Sequence, residues 1–267
     1  MTYLVLGSAG QIGKPLVNYL KSKNEQVIEY DIKDGTQYDL RYRSEQLEDA
    51  INRSDFVMFL AYDVGGSKYL EANQSKLQFI ENNLAIMSNV FNFLRNKPFI
   101  FASSQMAQFP KLAYGALKNV GAHYARALDG MVVNLYNVYG IETENEKAHV
   151  ITDFVTQARD NKVIRAKTNG IERRQFLHVD DCVRALYVLS KSYSPSNYDV
   201  TSFKWTSIFE IAMIVSSLFN RIPVHFTDKF DAVNCEPIEP SEDILKLWSP
   251  EISLADGIRM IRNELCE

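Results

Sequence analysis

Short apolar runs alternate with longer amphipathic segments through the first half of the chain. Runs of four or five apolar residues predict strands, and segments with a 3.6-residue period predict helices between them. Strands that are apolar throughout are typical of a parallel sheet covered by helices on both faces. The predicted strands are Tyr3–Leu6, Gln26–Tyr30, Phe56–Leu60, Phe99–Ala102 and Val132–Leu135, and the clearest helices are Leu84–Asn96 and Tyr114–Leu128.

A glycine-rich turn, G-S-A-G-Q-I-G, follows the first predicted strand directly. In this motif Gly7 permits a tight turn, Gly10 lets the backbone approach a pyrophosphate, and Gly13 lets the next helix pack closely. The helix N-terminus then offers free N–H groups and a positive dipole end to phosphates. The alternative is an ordinary glycine-rich connection between a strand and a helix. The residues expected to contact a dinucleotide here are Gly7, Gly10, Gln11, Ile12 and Gly13.

Asp31 ends the second predicted strand, about twenty residues beyond the glycines. An acidic side chain at this position accepts hydrogen bonds from both ribose hydroxyls of the adenosine half and repels a 2′-phosphate. Ile32 follows, so no arginine is adjacent to bind such a phosphate, although Lys33 is near. The alternative is a loop carboxylate at a strand end. We therefore expect NAD, rather than NADP, as the cofactor.

After Gly140 the alternation becomes less regular, and helices and short strands are predicted at Ala148–Asp160, Val163–Ala166, Gln175–Val179, Cys182–Lys191, Ser207–Phe219 and Leu254–Leu265. The fold class expected is α/β, a Rossmann-type doubly wound parallel sheet with a small, discontinuous C-terminal α/β substrate lobe over its carboxyl edge, where ligands bind. The dinucleotide-binding domain would comprise residues 1–140 plus about 171–192, and the lobe about 141–170 plus 193–267.

The composition is that of an ordinary globular enzyme, with 46% apolar and 23% charged residues among 267. A net charge of −4 without a basic cluster disfavours nucleic-acid binding. Three widely spaced cysteines, Cys182, Cys235 and Cys266, indicate a reducing compartment and no metal site. Because the chain shows no signal-peptide pattern and no run of about eighteen apolar residues, we expect a cytoplasmic protein that does not enter a membrane.

Tyr114 and Lys118 form a Y-x-x-x-K pair on a predicted helix, where a spacing of four places both side chains on one face. An ammonium near a phenol lowers the pKa of the tyrosine, which makes Tyr114 a candidate base for a sugar hydroxyl. Ser103 and Ser104 follow a strand directly, at the carboxyl edge of the predicted sheet. We choose Ser104 as the hydroxyl that links Tyr114 to a substrate. The alternatives are an ordinary helix pair and two turn serines.

The glycine turn, the strand-end Asp, the Ser and Y-x-x-x-K occur in an order that resembles the extended short-chain dehydrogenase/reductases, the nucleotide-sugar epimerase and dehydratase family. The resemblance covers nearly the whole chain. It implies NAD as cofactor, a nucleotide-linked sugar as substrate, and catalysis by Tyr114, Lys118 and Ser104, with Lys118 also holding the cofactor ribose. It also implies cofactor contacts from Asp39 and Leu40, which resemble the adenine-contacting segment, and from Ala61, in the loop after the third predicted strand.

Within that family the chain is most similar to GDP-mannose 3,5-epimerases and related GDP-sugar enzymes. Asp63-Val64-Gly65-Gly66 resembles their A-D-M-G-G loop, and Asn145-Glu146-Lys147-Ala148 resembles their R-E-K-A-P segment, whose lysine is an acid/base. Arg174 begins a segment similar to R-x-F-x-H-V-D-D, in which the Asp pair, here Asp180 and Asp181, caps the next helix. The resemblance implies substrate contacts from Ser103, Gly65, Asn137, Lys147 and Arg174, and adds Lys147 to the catalytic candidates.

The chain differs from this pattern at the positions that determine the type of reaction. The epimerases carry a catalytic Cys two residues after the Ser, and the dehydratases an Asp-Glu pair directly after it, but these positions hold Gln105 and Met106, neither of which exchanges protons. Tyr114 follows Ser104 by only ten positions, a shorter spacing than is usual in the family. The acidic segment Asn234–Asp243 also lacks the arginine that family members often use to bind the nucleotide diphosphate.

The chain has the residues for hydride transfer but no second acid or base beside them. This combination favours an NAD-dependent oxidoreductase that acts at C4 of a nucleotide-linked sugar. The leading substrate candidate is a GDP-linked manno-configured sugar or heptose. The alternatives are an epimerase, at C4 or, using Lys147, at C3 or C5, and a non-catalytic NAD sensor of the same fold.

The predicted helices 84–96 and 114–128 carry apolar residues on more than one side, which favours a homodimer through a helix bundle. Leu84, Met87, Phe91 and Leu94 follow one helical stripe, and Ile86, Val90 and Phe93 lie on another.

Overall fold

The computed structural model describes residues 1–142, 148–230 and 238–266. Its strands are β1 (Thr2–Leu6), β2 (Gln26–Tyr30), β3 (Phe56–Phe59), β4 (Phe99–Ser104), β5 (Met131–Leu135), β6 (Asn137–Tyr139), β7 (Ile164–Arg165), β8 (Arg173–His178), β9 (Asn197–Val200), β10 (Trp205–Ser207) and β11 (Val224–His225). Its helices are α1 (Gly13–Ser22), α2 (Glu45–Arg53), α3 (Ser67–Asn73), α4 (Leu77–Phe93), α5 (Ala113–Ala127), α6 (Val150–Asn161), α7 (Val179–Lys191), α8 (Ile208–Leu218) and α9 (Leu254–Cys266).

Six parallel strands form the main sheet in the order β2-β1-β3-β4-β5-β9. Because strand residues alternate between the two faces, Tyr3 and Val5 enter the apolar cluster beneath α1 and α7, while Leu4 and Leu6 enter the cluster beneath α2, α4 and α5. The predicted doubly wound sheet with helices on both faces is confirmed. Since β1 lies between β2 and β3, the strand order reverses there, and ligands of such sheets bind outside the carboxyl ends at that reversal.

The remaining strands form a three-stranded sheet, β10-β8-β6, and a pair, β11-β7. A third apolar cluster, centred on Ile151, Phe154 and Ile211, lies between α6, α8 and α9. The domain boundary predicted near residue 192 does not match the sheet, because Asn197–Val200 pairs with Met131–Leu135 in the main sheet. Division of the chain into two domains otherwise stays a prediction.

Helix α4 begins at Leu77, seven residues before the predicted start at Leu84. Asn83, directly before the predicted start, is fully buried inside the helix. Its side chain accepts the Asp63 N–H at 2.8 Å and donates to the Asp63 carbonyl at 3.1 Å. This asparagine therefore ties the loop after β3 to α4. Among the helices described, none is both long and apolar enough to cross a bilayer.

Candidate active site

The glycine turn is as tightly built as its sequence predicts. Gly7 has a φ of +88°, and a Cβ placed on it would lie 2.8 Å from the Ala61 nitrogen. A Cβ on Gly13 would lie 1.9 Å from the Gly7 carbonyl oxygen, so α1 begins against the turn itself. Side chains at either position would force these segments apart, and the close approach brings the glycine turn and the loop after β3 together.

The rest of the turn presents backbone and small side chains to the carboxyl edge of the sheet. Gly10 is exposed, Ile12 is the half-buried residue before α1, and the Gln11 side chain donates to the Val138 carbonyl at 3.4 Å. Ser8, which the sequence analysis did not single out, is 2% exposed, and its hydroxyl has no partner among the described residues. The glycine turn, which has no Cβ atoms at its three glycines, and the unpartnered buried Ser8 hydroxyl fit a pyrophosphate.

Asp31 lies at the carboxyl end of β2, beside the glycine turn. Its two carboxylate oxygens accept the Ala9 and Lys33 backbone N–H groups, each at 3.0 Å. Ile32, the next residue, is exposed. The carboxylate is thus fixed beside the glycine turn, and its two backbone hydrogen bonds give it a local role there. Its contact with a ribose stays a prediction.

Asp39 and Leu40 are both buried close to the same edge. The Asp39 carboxylate receives a bidentate hydrogen bond from Arg41, and this guanidinium lowers the pKa of Asp39. The Leu40 carbonyl accepts a hydrogen bond from Asn89 of α4 at 3.0 Å. The segment expected to reach adenine is therefore held in place from two sides.

Ser104 and Tyr114 lie close together, although the spacing of ten positions between them is shorter than is usual in the family. Ser104 ends β4 and accepts the Met106 N–H at 3.1 Å, which starts a single 3₁₀ turn over residues 105–108. That turn packs directly on α5, since a Cβ on Gly115 would lie 2.3 Å from the Met106 carbonyl oxygen. The short connection therefore delivers Tyr114, the residue before this glycine, to the neighbourhood of Ser104, whose hydroxyl acts on the pKa of the phenol.

Burial raises the pKa of Tyr114, and the Ser104 hydroxyl opposes that rise. This direction corrects the expectation that Lys118 lowers the pKa of the phenol. The Lys118 ammonium is 6.0 Å from the centre of the Tyr114 ring and donates instead to the Ala102 carbonyl at 2.7 Å. Desolvation therefore outweighs the lysine in setting the protonation of Tyr114.

Lys118 is 4% exposed, and burial lowers its pKa to about 7. Lysine rarely lies so deep without a carboxylate partner, and the described residues place none against it. Perturbed lysines of this kind concentrate at functional sites.

The end of β4 also carries polar groups suited to a sugar. The Ser103 hydroxyl is buried and has no partner in the described part of the chain. The Gln105 side chain donates a hydrogen bond to the Asn137 side chain at 2.9 Å. Asn137 is a predicted substrate residue, whereas Gln105 was considered only as an acid or base and was excluded in that role. Amides both donate and accept, which suits them to bind sugar hydroxyls.

Gly65 lies buried in the loop after β3, and the neighbouring Asp63 carboxylate accepts hydrogen bonds from Tyr69 and Asn82. This loop also carries Tyr62, whose ring contacts Tyr114 edge-to-face at 6.0 Å between centroids. The sequence placed Tyr62 beside Ala61 in a segment that resembles the family's cofactor-lining loop, but only the tertiary structure places its ring against α5.

Arg174 and Lys147 are the remaining predicted substrate residues. Arg174 lies on β8, paired in register with Thr206, and donates to the Arg173 carbonyl at 2.8 Å. Lys147 lies outside the described residues, together with Asn145 and Glu146.

The Asp pair of β8–α7 does not cap the helix, contrary to expectation. His178 is the N-cap of α7 and accepts the Asp180 N–H, while Asp181 accepts the Glu251 and Ile252 N–H groups at 3.1 and 2.8 Å. Asp181 thus joins α7 to the segment before α9. Within the ranges that the structure covers, no three His, Cys, Asp or Glu side chains converge on a metal-sized site.

Comparison with known proteins gives three independent likenesses. GDP-mannose 3,5-epimerase 1 of Oryza sativa subsp. indica is 26% identical over 96% of this chain and 79% of its own length. Putative GDP-L-fucose synthase 2 of Arabidopsis thaliana is 26% identical over 95% of this chain and 88% of its own. UDP-glucose 4-epimerase of Thermus thermophilus, solved with NAD, superposes with a TM-score of 0.80 at 21% identity, covering 100% of this chain and 99% of the other.

The sequence model of the NAD dependent epimerase/dehydratase family matches residues 3–200, which include the glycine turn, Ser104, Tyr114 and Lys118. This match confirms the resemblance inferred from the motifs and confirms NAD as the cofactor of the family. The residues that fit the dinucleotide, from the glycine cradle to Asp31, lie within the matched range. The chain therefore belongs to the NAD dependent epimerase/dehydratase family.

Proposed function

We propose that this protein is an NAD-dependent oxidoreductase that acts at C4, or the equivalent carbon, of a nucleotide-linked sugar. The observation that carries the proposal is the convergence of Ser104, Tyr114 and Lys118 at the carboxyl end of β4. The side chains next to Ser104 are Gln105 and Met106, which supply no second acid or base. Such a site moves a proton on one hydroxyl and leaves neighbouring C–H bonds alone.

The chain's own groups divide the work as follows. Ser104 orients the sugar hydroxyl, Tyr114 exchanges the proton with its oxygen, and Lys118 stabilises the phenolate that forms when Tyr114 gives up its proton. NAD, held by the glycine turn and Asp31, supplies the hydride acceptor or donor. Because burial raises the pKa of Tyr114, the phenol is protonated at neutral pH and is ready to act as an acid in the reductive direction.

A GDP-linked manno-configured sugar, including a heptose, is the leading substrate candidate. Both curated relatives described above are named for GDP-linked sugars. Ser103, Gln105 and Asn137 offer polar groups for the sugar at the same edge. Residues 238–243 contain three carboxylates and no arginine, so the diphosphate must be bound by other groups.

The test is a panel of GDP- and UDP-linked hexoses incubated with the protein and NAD, followed at the absorbance of reduced nicotinamide. The same sugars in their 4-keto form, with NADH, test the reverse direction. We expect turnover of a GDP-linked sugar above any UDP-linked one. NAD binding without hydride transfer to or from any sugar would instead favour the sensor, and spectral turnover without NADH release would indicate a C4 epimerase.

A C3 or C5 epimerase remains the second candidate, because the Lys147 segment resembles the acid/base segment of GDP-mannose 3,5-epimerases. Reaction in heavy water separates the two. The oxidoreductase leaves C3 and C5 free of deuterium, whereas deuterium incorporation that disappears in Lys147→Ala would establish the epimerase.

We also propose a homodimer through α4 and α5. The two predicted stripes are largely buried within the chain, and the exposed apolar side chains are Leu77, Leu84, Val120 and Tyr124. A second copy of the same helices would cover them. Light scattering at micromolar concentration should give twice the chain mass, and Leu84→Glu should shift it toward the monomer; a monomeric wild type contradicts the dimer.

A further inference from the structure

Tyr62 lies in the loop between β3 and α3, opposite the first turns of α5. The Lys118 Nζ is 3.7 Å from the centre of the Tyr62 ring, and the Tyr62 and Tyr114 rings meet edge-to-face at 78°. A lysine nitrogen so near the ring centroid is well within the range of a cation–π interaction. Tyr62 therefore contacts both members of the Y-x-x-x-K pair.

The surroundings of Lys118 leave few other groups to balance its charge. Strand β4 contributes the Ala102 carbonyl at 2.7 Å and the Phe101 ring at 5.3 Å. Tyr62 and Tyr114 are the titratable groups that the described residues place against it, and burial is the cause of its low pKa. The Tyr62 ring, with its negative face, is thus the nearest complement to the ammonium after one carbonyl oxygen.

We infer that Tyr62 is a positioning residue, whose ring holds the Lys118 ammonium charged and in place beneath Tyr114. A cation–π contact is strongest where water is excluded, as it is around this lysine. Tyr62 acts through Lys118 and makes no proton transfer of its own.

The loop gives Tyr62 an anchor that is independent of α5. Asp63, the next residue, is bound through its backbone to Asn83 of α4 at 2.8 and 3.1 Å. Its carboxylate accepts hydrogen bonds from Tyr69 of α3 and, at 2.9 Å, from Asn82. Two helices therefore fix the backbone beside Tyr62.

Removal of the Tyr62 hydroxyl tests the role of the ring separately from that of the phenol oxygen. This oxygen is buried and has no hydrogen-bond partner within the described ranges. Tyr62→Phe therefore removes an oxygen that makes no hydrogen bond in the described part of the chain and keeps the ring over Lys118. Tyr62→Leu keeps apolar bulk, which excludes water, but removes the π face.

The experiment measures the pKa of Lys118 in the full-length protein without added cofactor, by NMR of ¹³C-labelled lysine, with the resonance assigned by its loss in Lys118→Arg. We expect titration near pH 7 in the wild type and in Tyr62→Phe, and a midpoint about one pH unit lower in Tyr62→Leu. An unchanged or higher midpoint in Tyr62→Leu, or an equal fall in Tyr62→Phe, overturns the inference.

Circular dichroism melting checks that each variant folds, and Tyr62→Met replaces Tyr62→Leu if the latter does not. No sugar substrate enters this measurement. Its outcome is therefore separate from that of the proposed oxidoreductase activity.

Discussion

Two deeply buried charges, Asp181 in α7 and Lys118 in α5, have opposite surroundings. Asp181 is fully buried, accepts two backbone N–H groups and pairs with Arg184. Lys118, 4% exposed, donates to one carbonyl and faces aromatic rings, and its pKa falls to about 7. Asp181, whose partners are complete, holds two segments together, whereas Lys118, whose partners are incomplete, is a candidate for a functional site.

Both residues lie in motifs that the sequence presents equally clearly, H-V-D-D and Y-x-x-x-K. The sequence analysis gave the Asp pair a structural role as a helix cap and Lys118 a catalytic role, but the motifs alone gave no physical criterion that separates the two charges. The number of hydrogen-bond partners within the fold does so, and the predictions below test that criterion at four side chains.

The largest loss of activity is expected on substitution of Tyr114, whose phenolate Lys118 is proposed to stabilise. Tyr114→Phe removes the phenol oxygen that exchanges the proton and should lower turnover of the sugar substrate by roughly 10²–10⁴-fold. NAD affinity and melting temperature should change little. Tyr124→Phe, an exposed tyrosine of the same helix, is the matched control. A loss below tenfold in Tyr114→Phe would remove this residue from the catalytic set.

The second effect is structural and concerns Asp181. Asp181→Asn leaves Arg184 without its buried carboxylate and weakens the link to the segment before α9, which should cost roughly 2–4 kcal/mol of unfolding free energy. Urea unfolding measures it, with the exposed neighbour Asp180→Asn as control. NAD affinity of the folded variant should match the wild type. Lost NAD binding with unchanged stability would reverse the comparison and make Asp181 the functional charge.

Five of the six strands of the main sheet could be predicted within one or two residues because they are apolar runs, as in Phe99–Ala102, whereas the sixth strand, β9, was not predicted. The short strands were missed for the opposite reason. Val224–His225 has two residues and Trp205–Ser207 three, too few to show a period of two, so only their pairing partners define them.

The candidate site was predictable where chemistry follows from local spacing, as for Tyr114 and Lys118. It was not predictable where chemistry depends on tertiary contact. Burial reversed the expected pKa direction of Tyr114, and Tyr62 meets α5 across more than fifty residues of chain. The desolvation of a group is a property of the folded surroundings, which no residue motif encodes.

The third prediction uses pH to isolate the cost of burying Lys118. The unfolded lysine keeps its proton up to a pKa near 10.5, while the folded one loses it near pH 7. Between these values the unfolded state binds more protons, so the wild type gains stability as pH rises. Lys118→Met has no such slope. Urea unfolding should therefore show that Lys118→Met exceeds the wild type in unfolding free energy at pH 6.5 and that this excess shrinks toward pH 10. A difference in unfolding free energy that does not change with pH would contradict the burial of a charge.

The smallest effect is expected at Asp31, which combines features of both charges. Like Asp181 it accepts two backbone N–H groups, but it is only partly buried and lies beside the glycine turn. If it also binds the cofactor ribose, Asp31→Ser should weaken NAD binding by about tenfold and narrow the preference over NADP, since the carboxylate repels a 2′-phosphate. Fluorescence titration with NADH and NADPH measures both affinities, with exposed Asp34→Ser of the same turn as control. Equal wild-type affinities for the two cofactors would show that the two backbone hydrogen bonds are the whole role of Asp31, and would place it with Asp181 among the structural carboxylates.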